Sequence, residues 1–134
     1  MKSVLVGPRP LVALFDGSDS RHAQAVDFLK TSGCRLVSTW PVVTDACNQL
    51  SFSHEAVHDF LSWCERGGVR ILDLGAREIE RIIELGRSEP FDLSMASLAA
   101  ISETVGVKEL WVLGKESNQA MELDFDGALS PYQA

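Results

Sequence analysis

The stretch Pro90-Phe91-Asp92-Leu93-Ser94-Met95-Ala96-Ser97-Leu98-Ala99-Ala100 tells most about the fold. It opens with a proline and an acidic residue, which are common at the start of a helix, and continues with small and apolar residues. A helix that is apolar on all sides is buried. We therefore predict a buried helix from Asp92 to about Val105, with Asp92 at its N-terminus and Gly106 ending it.

The rest of the chain alternates short apolar runs with helical patterns. The predicted strands are residues 3–6, 35–38, 69–72 and 109–113, with Phe125 in a further short strand. The predicted helices are residues 11–15 with Pro10 at N1, a helix capped by Ser18 or Asp19 and ended by Gly33, residues 41–50, residues 54–66 capped by Ser53, and residues 77–87. This alternation predicts an α/β fold with a mainly parallel sheet covered on both faces.

Ligand sites of parallel sheets lie at the carboxyl ends of the strands. In this chain those ends are near Gly7, Ser38 and Gly114. We expect the functional site there.

Length and composition predict one domain over residues 1–134. No apolar run is long enough for a membrane span, and Gly7-Pro8-Arg9-Pro10 interrupts the apolar start that a signal peptide would need. We therefore expect a cytoplasmic protein. Its three cysteines, Cys34, Cys47 and Cys64, then read as buried thiols in a reducing compartment.

The formal net charge of −7 argues against broad electrostatic binding of nucleic acid, which depends on clustered Lys and Arg. It does not exclude a nuclease, because a cleft of carboxylates that holds a divalent metal is itself acidic.

The segment His54-Glu55-Ala56-Val57-His58 fits the H-E-x-x-H pattern of zinc proteases. On a helical projection Ala56, Val57, Phe60, Leu61, Trp63 and Cys64 share one face, whereas His54, His58, Ser62 and Glu65 share the other. The histidines are thus expected to face solvent, and we predict no zinc site. The acidic turn around Asp124 and Asp126 lacks the remaining ligands of a calcium loop and is predicted to be solvated.

Two acids remain as candidates. Asp45 lies on an otherwise apolar helix, where it is either a partly buried functional carboxylate or an N-terminal helix charge, and the pattern leaves both open. Asp92 has an obvious structural role as a helix cap.

Taken together, four segments resemble the PIN domain, in particular the VapC-type toxin ribonucleases. They are residues 4–6 followed by 10–16, residues 21–25, residues 36–46 and residues 90–98, and only their combined order and spacing is specific. The resemblance implies a three-layer α/β/α sandwich with a central, mainly parallel sheet of four or five strands. It also implies about four clustered carboxylates that bind Mg²⁺ or Mn²⁺ for RNA cleavage.

Carried over onto this chain, that acidic site is eroded. Gly7 stands at the first acidic position, Met95 at the second acid of the Asp-x-x-Asp pair, and Gly114 at the acid after the fourth strand. Asp45 replaces the family's glutamate, and Asp92 keeps the first acid of the pair.

Two functions follow from the resemblance. The first is a degenerate nuclease without a cofactor, kept as a binding module for an antitoxin-like protein or a second copy. Arg9, and also Lys115, would bring a base to the groove, and Arg9 would pair with Asp45 or Asp92 in place of the metal. The second is a ribonuclease that still uses Mg²⁺ or Mn²⁺ on Asp45, Asp92 and an acid such as Glu116. No membrane partner is expected.

Overall fold

A single five-stranded sheet forms the centre of the computed structural model, which describes residues 1–87, 90–113 and, by their backbone, 118–122. The strands are β1 (Ser3–Val6), β2 (Arg35–Thr39), β3 (Val69–Leu72), β4 (Glu109–Leu113) and β5 (Asn118–Glu122). Their order across the sheet is β3-β2-β1-β4-β5. The first four are parallel and β5 runs antiparallel to β4, as the predicted mainly parallel sheet requires.

Six helices connect the strands within the described residues. They are α1 (Pro8–Phe15), α2 (His22–Ser32), α3 (Trp40–Gln49), α4 (His54–Glu65), α5 (Ala76–Leu85) and α6 (Leu93–Val105). The chain moves from β1 through β2 to β3 in one direction and then crosses back to β4. Because crossovers between parallel strands are right-handed, α1 to α4 cover one face of the sheet and α5 and α6 cover the other. The result is the three-layer α/β/α sandwich that was predicted.

The core runs through the middle strands. Residues 4–6 of β1 and 110–113 of β4 are all buried, as expected for strands covered on both faces. Phe15 of α1 packs against Phe60 and Trp63 of α4, with ring centroids 5.4 and 5.3 Å away. Phe28 of α2 stacks on Trp111 of β4 at 4.2 Å. These aromatic contacts hold the helices to the sheet and to one another.

Helix α6 is the buried helix that the sequence predicts. Every residue from 94 to 102 is buried, and most are Ala or Ser. Such small side chains let α6 lie close to its neighbours, while their hydroxyls still find partners. Ser97 contacts the Thr39 hydroxyl at 2.6 Å and donates to the Ser94 carbonyl at 2.7 Å. Gly106 ends the helix in the left-handed region, at φ 73°.

Several boundaries differ from the prediction. Helix α1 begins at Pro8 rather than Leu11, because a proline at N1 costs no hydrogen bond. The N-cap of α2 is Arg21, so the predicted caps Ser18 and Asp19 are wrong. Asp19 instead accepts a hydrogen bond from the Arg21 backbone N–H at 2.8 Å, within the preceding turn.

Exposure also corrects one detail of the helical faces. Leu61 of α4 was predicted on the apolar face but is 43% exposed, since it lies at the edge of the contact with the core. The predicted strand around Phe125 lies outside the described residues, and the last described strand is residues 118–122. Of the helices in the described part of the chain, none has the length and apolar character needed to cross a bilayer.

Candidate functional groove

A cavity of about 280 Å³ opens at the carboxyl edge of the sheet, where β1 and β4 end. Its lining comes from β1 and α1, from α3, from the start of α6, and from β4. The lining residues are Gly7, Pro8, Arg9, Pro10, Asp45, Gln49, Asp92, Met95, Leu110, Trp111, Val112 and Leu113. The fold therefore brings Asp45, Asp92, Gly7, Met95 and Arg9 to one place, as the sequence predicted.

Asp45 is a half-buried carboxylate in the middle of α3, so the alternative of an N-terminal helix charge is wrong. Both of its oxygens are held by neutral donors. Gln49 Nε2 donates to Oδ1 at 3.1 Å, and Ser94 Oγ donates to Oδ2 at 3.2 Å. These bonds fix the carboxylate between α3 and α6 without a neighbouring positive charge among its hydrogen-bond partners.

Asp92 is the N-cap of α6, which confirms the structural role predicted for it. Its Oδ1 accepts a hydrogen bond from the Met95 backbone N–H at 3.2 Å, and the residue is exposed at the cavity rim. The cap bond uses one oxygen of the carboxylate, and Asp92 is also one of the residues that line the cavity. Asp92 thus has a structural task and a position in the groove at the same time.

Gly7 and Met95, which the PIN resemblance places at two acidic positions, lie beside each other in the structure. A Cβ atom on Gly7 would lie 3.3 Å from Met95 Sδ and 3.9 Å from Met95 Cε. Both residues are buried, and Met95 is only 5% exposed. An apolar thioether and a bare backbone therefore form the part of the cavity wall where the resemblance places carboxylates.

Arg9 lies at the groove, but the predicted pairing with Asp45 or Asp92 is wrong. Its guanidinium donates to both oxygens of Asp19, at 2.6 and 3.0 Å. This ion pair joins α1 to the turn before α2, and its hydrogen bonds lower the pKa of the Asp19 carboxyl below its usual range. Arg9 lies in the first turn of α1 and Asp19 in the turn that follows this helix, so the ion pair is local even though Arg9 lines the same cavity as Asp45 and Asp92.

The remaining residues of the predicted site cannot be placed. Gly114, Lys115 and Glu116 lie outside the described residues, as do Asp124 and Asp126 of the acidic turn. The two histidines of the H-E-x-x-H pattern are exposed on α4, with the side chain of His58 74% accessible. That placement agrees with the prediction of a solvated face.

The cysteines are half-buried and unpaired in disulfides, close to the prediction of buried thiols. Burial raises the pKa of the Cys47 thiol, and burial together with Cys47 raises that of Cys64 to about 11. Both thiols are therefore protonated at neutral pH.

A second, wider groove adjoins the first and was not predicted. Its volume is about 440 Å³ and its lining is Trp40, Pro41, Thr44, Asp45, Asn48, Leu93 and Ser94. Trp40 and Leu93 are 53% and 47% exposed. Asp45 lines both cavities, so the two adjoin at this residue. The sequence feature that could have indicated this groove is Trp40, a large aromatic residue in the first turn of α3 that is not part of the core.

Another polar site missed from the sequence lies on the opposite layer. Glu78 of α5 accepts hydrogen bonds from the Gly75 backbone N–H at 2.8 Å and from Thr104 Oγ1 at 2.9 Å. These two bonds lower the pKa of Glu78, and they tie the start of α5 to the end of α6. A glutamate three residues after a helix N-cap is the pattern that would have indicated this arrangement.

The cavity residues do not fit the divalent ion that the PIN resemblance implies. Mg²⁺ and Mn²⁺ take several oxygen ligands, and the thioether of Met95 is a poor ligand for such hard ions. Among the residues that the structure describes, no group of three His, Cys, Asp or Glu side chains is arranged to hold a metal. Asp45 and Asp92 are the two carboxylates in this lining, and each already accepts hydrogen bonds.

The strand order and the two helical layers are those of the PIN-like three-layer α/β/α fold. The solved structure of VapC20 from Mycobacterium tuberculosis, a sarcin-ricin loop cleaving toxin, matches it with a TM-score of 0.74. The match covers 84% of this chain and 91% of VapC20, at 16% sequence identity, and so concerns the fold alone. No protein-family model matches the sequence, and neither does any curated protein.

Proposed function

We propose that this protein is a catalytically degenerate PIN-like protein, derived from a VapC-type toxin ribonuclease, that works as a binding module. The observation that carries the proposal is the wall of the groove. Gly7 and Met95 stand in contact where two metal-binding acids are expected, and neither offers an oxygen ligand from its side chain.

The chemistry of the metal supports this function. Two carboxylates bind Mg²⁺ weakly because the ion gives up its water shell reluctantly. Without a bound ion there is no activated water and no positive charge to stabilise the scissile phosphate. Gly114, the third substituted position, removes another side-chain ligand whatever its placement.

The groove instead suits a segment of a protein partner. Asp45 and Asp92 favour a Lys or Arg side chain, and the neighbouring Trp40 and Leu93 present exposed apolar surface for the residues beside it. The net charge of −7 also favours a basic partner over RNA. An antitoxin-like protein is the partner we propose, and a second copy of the chain at the same surface is the other candidate.

One observation favours a second candidate function. Asp45 and Asp92 still line a single cavity, so a ribonuclease that recruits Mg²⁺ or Mn²⁺ with a further acid, such as Glu116, is the alternative.

RNA cleavage separates the two candidates. Purified protein is incubated with a sarcin-ricin loop RNA and with single-stranded RNA in Mn²⁺ or Mg²⁺, beside the Asp45→Asn variant. We expect no cleavage above that of the variant. Cleavage by the wild type that disappears in Asp45→Asn would overturn the degenerate function and support the alternative.

Restoring the acids is the complementary experiment. The triple variant Gly7→Asp, Met95→Asp and Gly114→Asp rebuilds the carboxylate set on this fold. We expect metal-dependent cleavage in the triple variant and none in the wild type. Light scattering of the wild type, alone and with a candidate antitoxin-like protein, then distinguishes an antitoxin-like partner from a homodimer.

A further inference from the structure

We propose that Met95 is the specificity-determining residue of the groove: its thioether takes the space of a side chain at position 7, so no oxygen-ligand site for a divalent cation can assemble there while Met95 is present. Positions 7 and 95 are then one sterically coupled unit. The inference rests on the proposed function, since it explains which ligand class the degenerate groove excludes.

The backbone of Gly7 does not itself require glycine. Its φ of −92° and ψ of −173° are extended values that any residue adopts. The restriction comes from outside, because a Cβ would meet Met95 Sδ at 3.3 Å and Leu98 Cδ1 at 3.8 Å. The backbone conformation at position 7 thus suits any residue, and the restriction on a side chain there comes mainly from the Met95 thioether.

Met95, whose side chain restricts position 7, is held in place through its own backbone. Met95 lies in the first turn of α6, and its N–H donates to the Asp92 cap. Its side chain is 5% exposed, between the cavity and the core. The atom nearest to a Cβ at position 7 belongs to the flexible thioether, which must shift by a few tenths of an ångström to admit a methyl group and by more to admit a larger side chain that points towards it.

The consequence for ligands follows from this contact. A lone aspartate at position 7 would need the volume that Met95 fills, and a lone aspartate at position 95 would face a bare glycine. Each single change therefore leaves the oxygen set incomplete, and both changes together are needed beside Asp45.

A double-mutant cycle tests the steric coupling without any metal. The cycle places Gly7→Val in the wild-type and Met95→Ala backgrounds. Gly7→Ala, which adds only a methyl group, is made in the same two backgrounds as the milder variant. We expect Gly7→Val to lower the thermal midpoint by about 5 °C or more with Met95 present and by less than half as much without it. Gly17→Val is the control, since no atom lies within 4 Å of its Cβ. Additive effects at positions 7 and 95 for both variants would overturn the proposal.

Mn²⁺ binding then tests the ligand class. Calorimetry with Mn²⁺ compares Gly7→Asp, Met95→Asp and the double variant, and adds Asp45→Asn to the double. We expect at least tenfold tighter binding by the double variant than by either single variant, lost again with Asp45→Asn. Equal binding by Gly7→Asp alone, or none by a folded double variant, would contradict the role of Met95.

These readouts are independent of the proposed function. RNA cleavage by the wild type would overturn the degenerate function and leave the cycle unaffected. Additivity in the cycle would overturn the coupling and leave an inactive wild type as it stands.

Discussion

Arg9 has a different partner in the structure from the one expected from the sequence. Its position after β1 suggested a base that replaces the metal, but its guanidinium pairs with Asp19. The sequence could not indicate this partner, because the pairing depends on how the turn before α2 folds back against α1. The PIN resemblance placed Gly7 and Met95 at one site, but it did not indicate that a Cβ at position 7 would meet the Met95 thioether, because that depends on how residues 88 positions apart pack.

The Arg9–Asp19 pair predicts a pH-dependent effect on stability. The folded pKa of Asp19 is lowered, so its contribution is complete above the unfolded value, near 3.9, and is lost as pH falls through the folded value. We expect Asp19→Asn to cost about 1 kcal/mol of unfolding free energy at pH 7, because Arg9 is half exposed, and progressively less below about pH 4. Urea unfolding at several pH values measures it, with Asp27→Asn on the exposed face of α2 as the control. A cost that grows on acidification would contradict the assigned ion pair.

Cys64 carries a second prediction at this scale. Because the pKa of its thiol is raised to about 11, only about one molecule in a thousand carries the thiolate at pH 8. Alkylation of Cys64 in a Cys34→Ser variant, which keeps Cys47 beside it, should be slow at pH 8 and accelerate about tenfold per pH unit towards pH 10 when the Cys64 peptide is followed. Mass spectrometry after timed quenching follows the reaction. Fast modification at pH 8 would show a thiolate that the structure does not account for.

At the scale of the elements, the signals that worked were local. Ser53, Gly33 and Gly106 bound their helices as predicted, since a capping hydroxyl and a glycine in the left-handed region act within one turn. The boundaries of β1, β3 and β4 were also correct, because apolar runs between polar turns define them. Where a boundary depended on tertiary contact, as at α2, the prediction was wrong.

Helix α6 offers a test that separates the two tasks of Asp92. Asp92→Ala removes the cap and should lower the unfolding free energy by about 1 kcal/mol, whereas Asn caps about as well as Asp. Asp92→Asn should therefore keep stability and lose only the charge in the groove. Chemical denaturation of both variants, beside Ser53→Ala on α4, gives the comparison. Equal losses in Asp92→Ala and Asp92→Asn would mean that charge, not capping, is the structural contribution.

For the whole molecule, the fold was predictable further than the site. Alternating strands and helices define a parallel sheet, and right-handed crossovers leave few ways to arrange it. The carboxyl edge of the sheet then indicates a groove near Gly7, and the PIN resemblance adds Asp45, Asp92 and Met95, which line the same cavity. The groove beside Trp40 was not indicated, because an exposed apolar surface depends on which side chains the core leaves uncovered.

The aromatic cluster between α1 and α4 predicts a global effect. Phe60 is fully buried against Phe15 and Trp63, so Phe60→Ala should cost about 3 to 5 kcal/mol of unfolding free energy. Leu61 is its neighbour on the same helix and is 43% exposed, so Leu61→Ala should change stability by no more than about 0.5 kcal/mol. Urea midpoints measure both, with Phe60→Leu as the variant to use if the alanine protein does not fold. Similar costs at positions 60 and 61 would contradict the described packing.

Helix α6 divides its residues between two separate duties. Positions 92 and 95 border the groove at its first turn, whereas residues 96–102 pack inside the protein. Substitution of the exposed Asp92 can therefore change the charge of the groove while the interior stays packed, whereas Met95 belongs to the groove wall and to the core together, and substitutions further along the helix act on the core first.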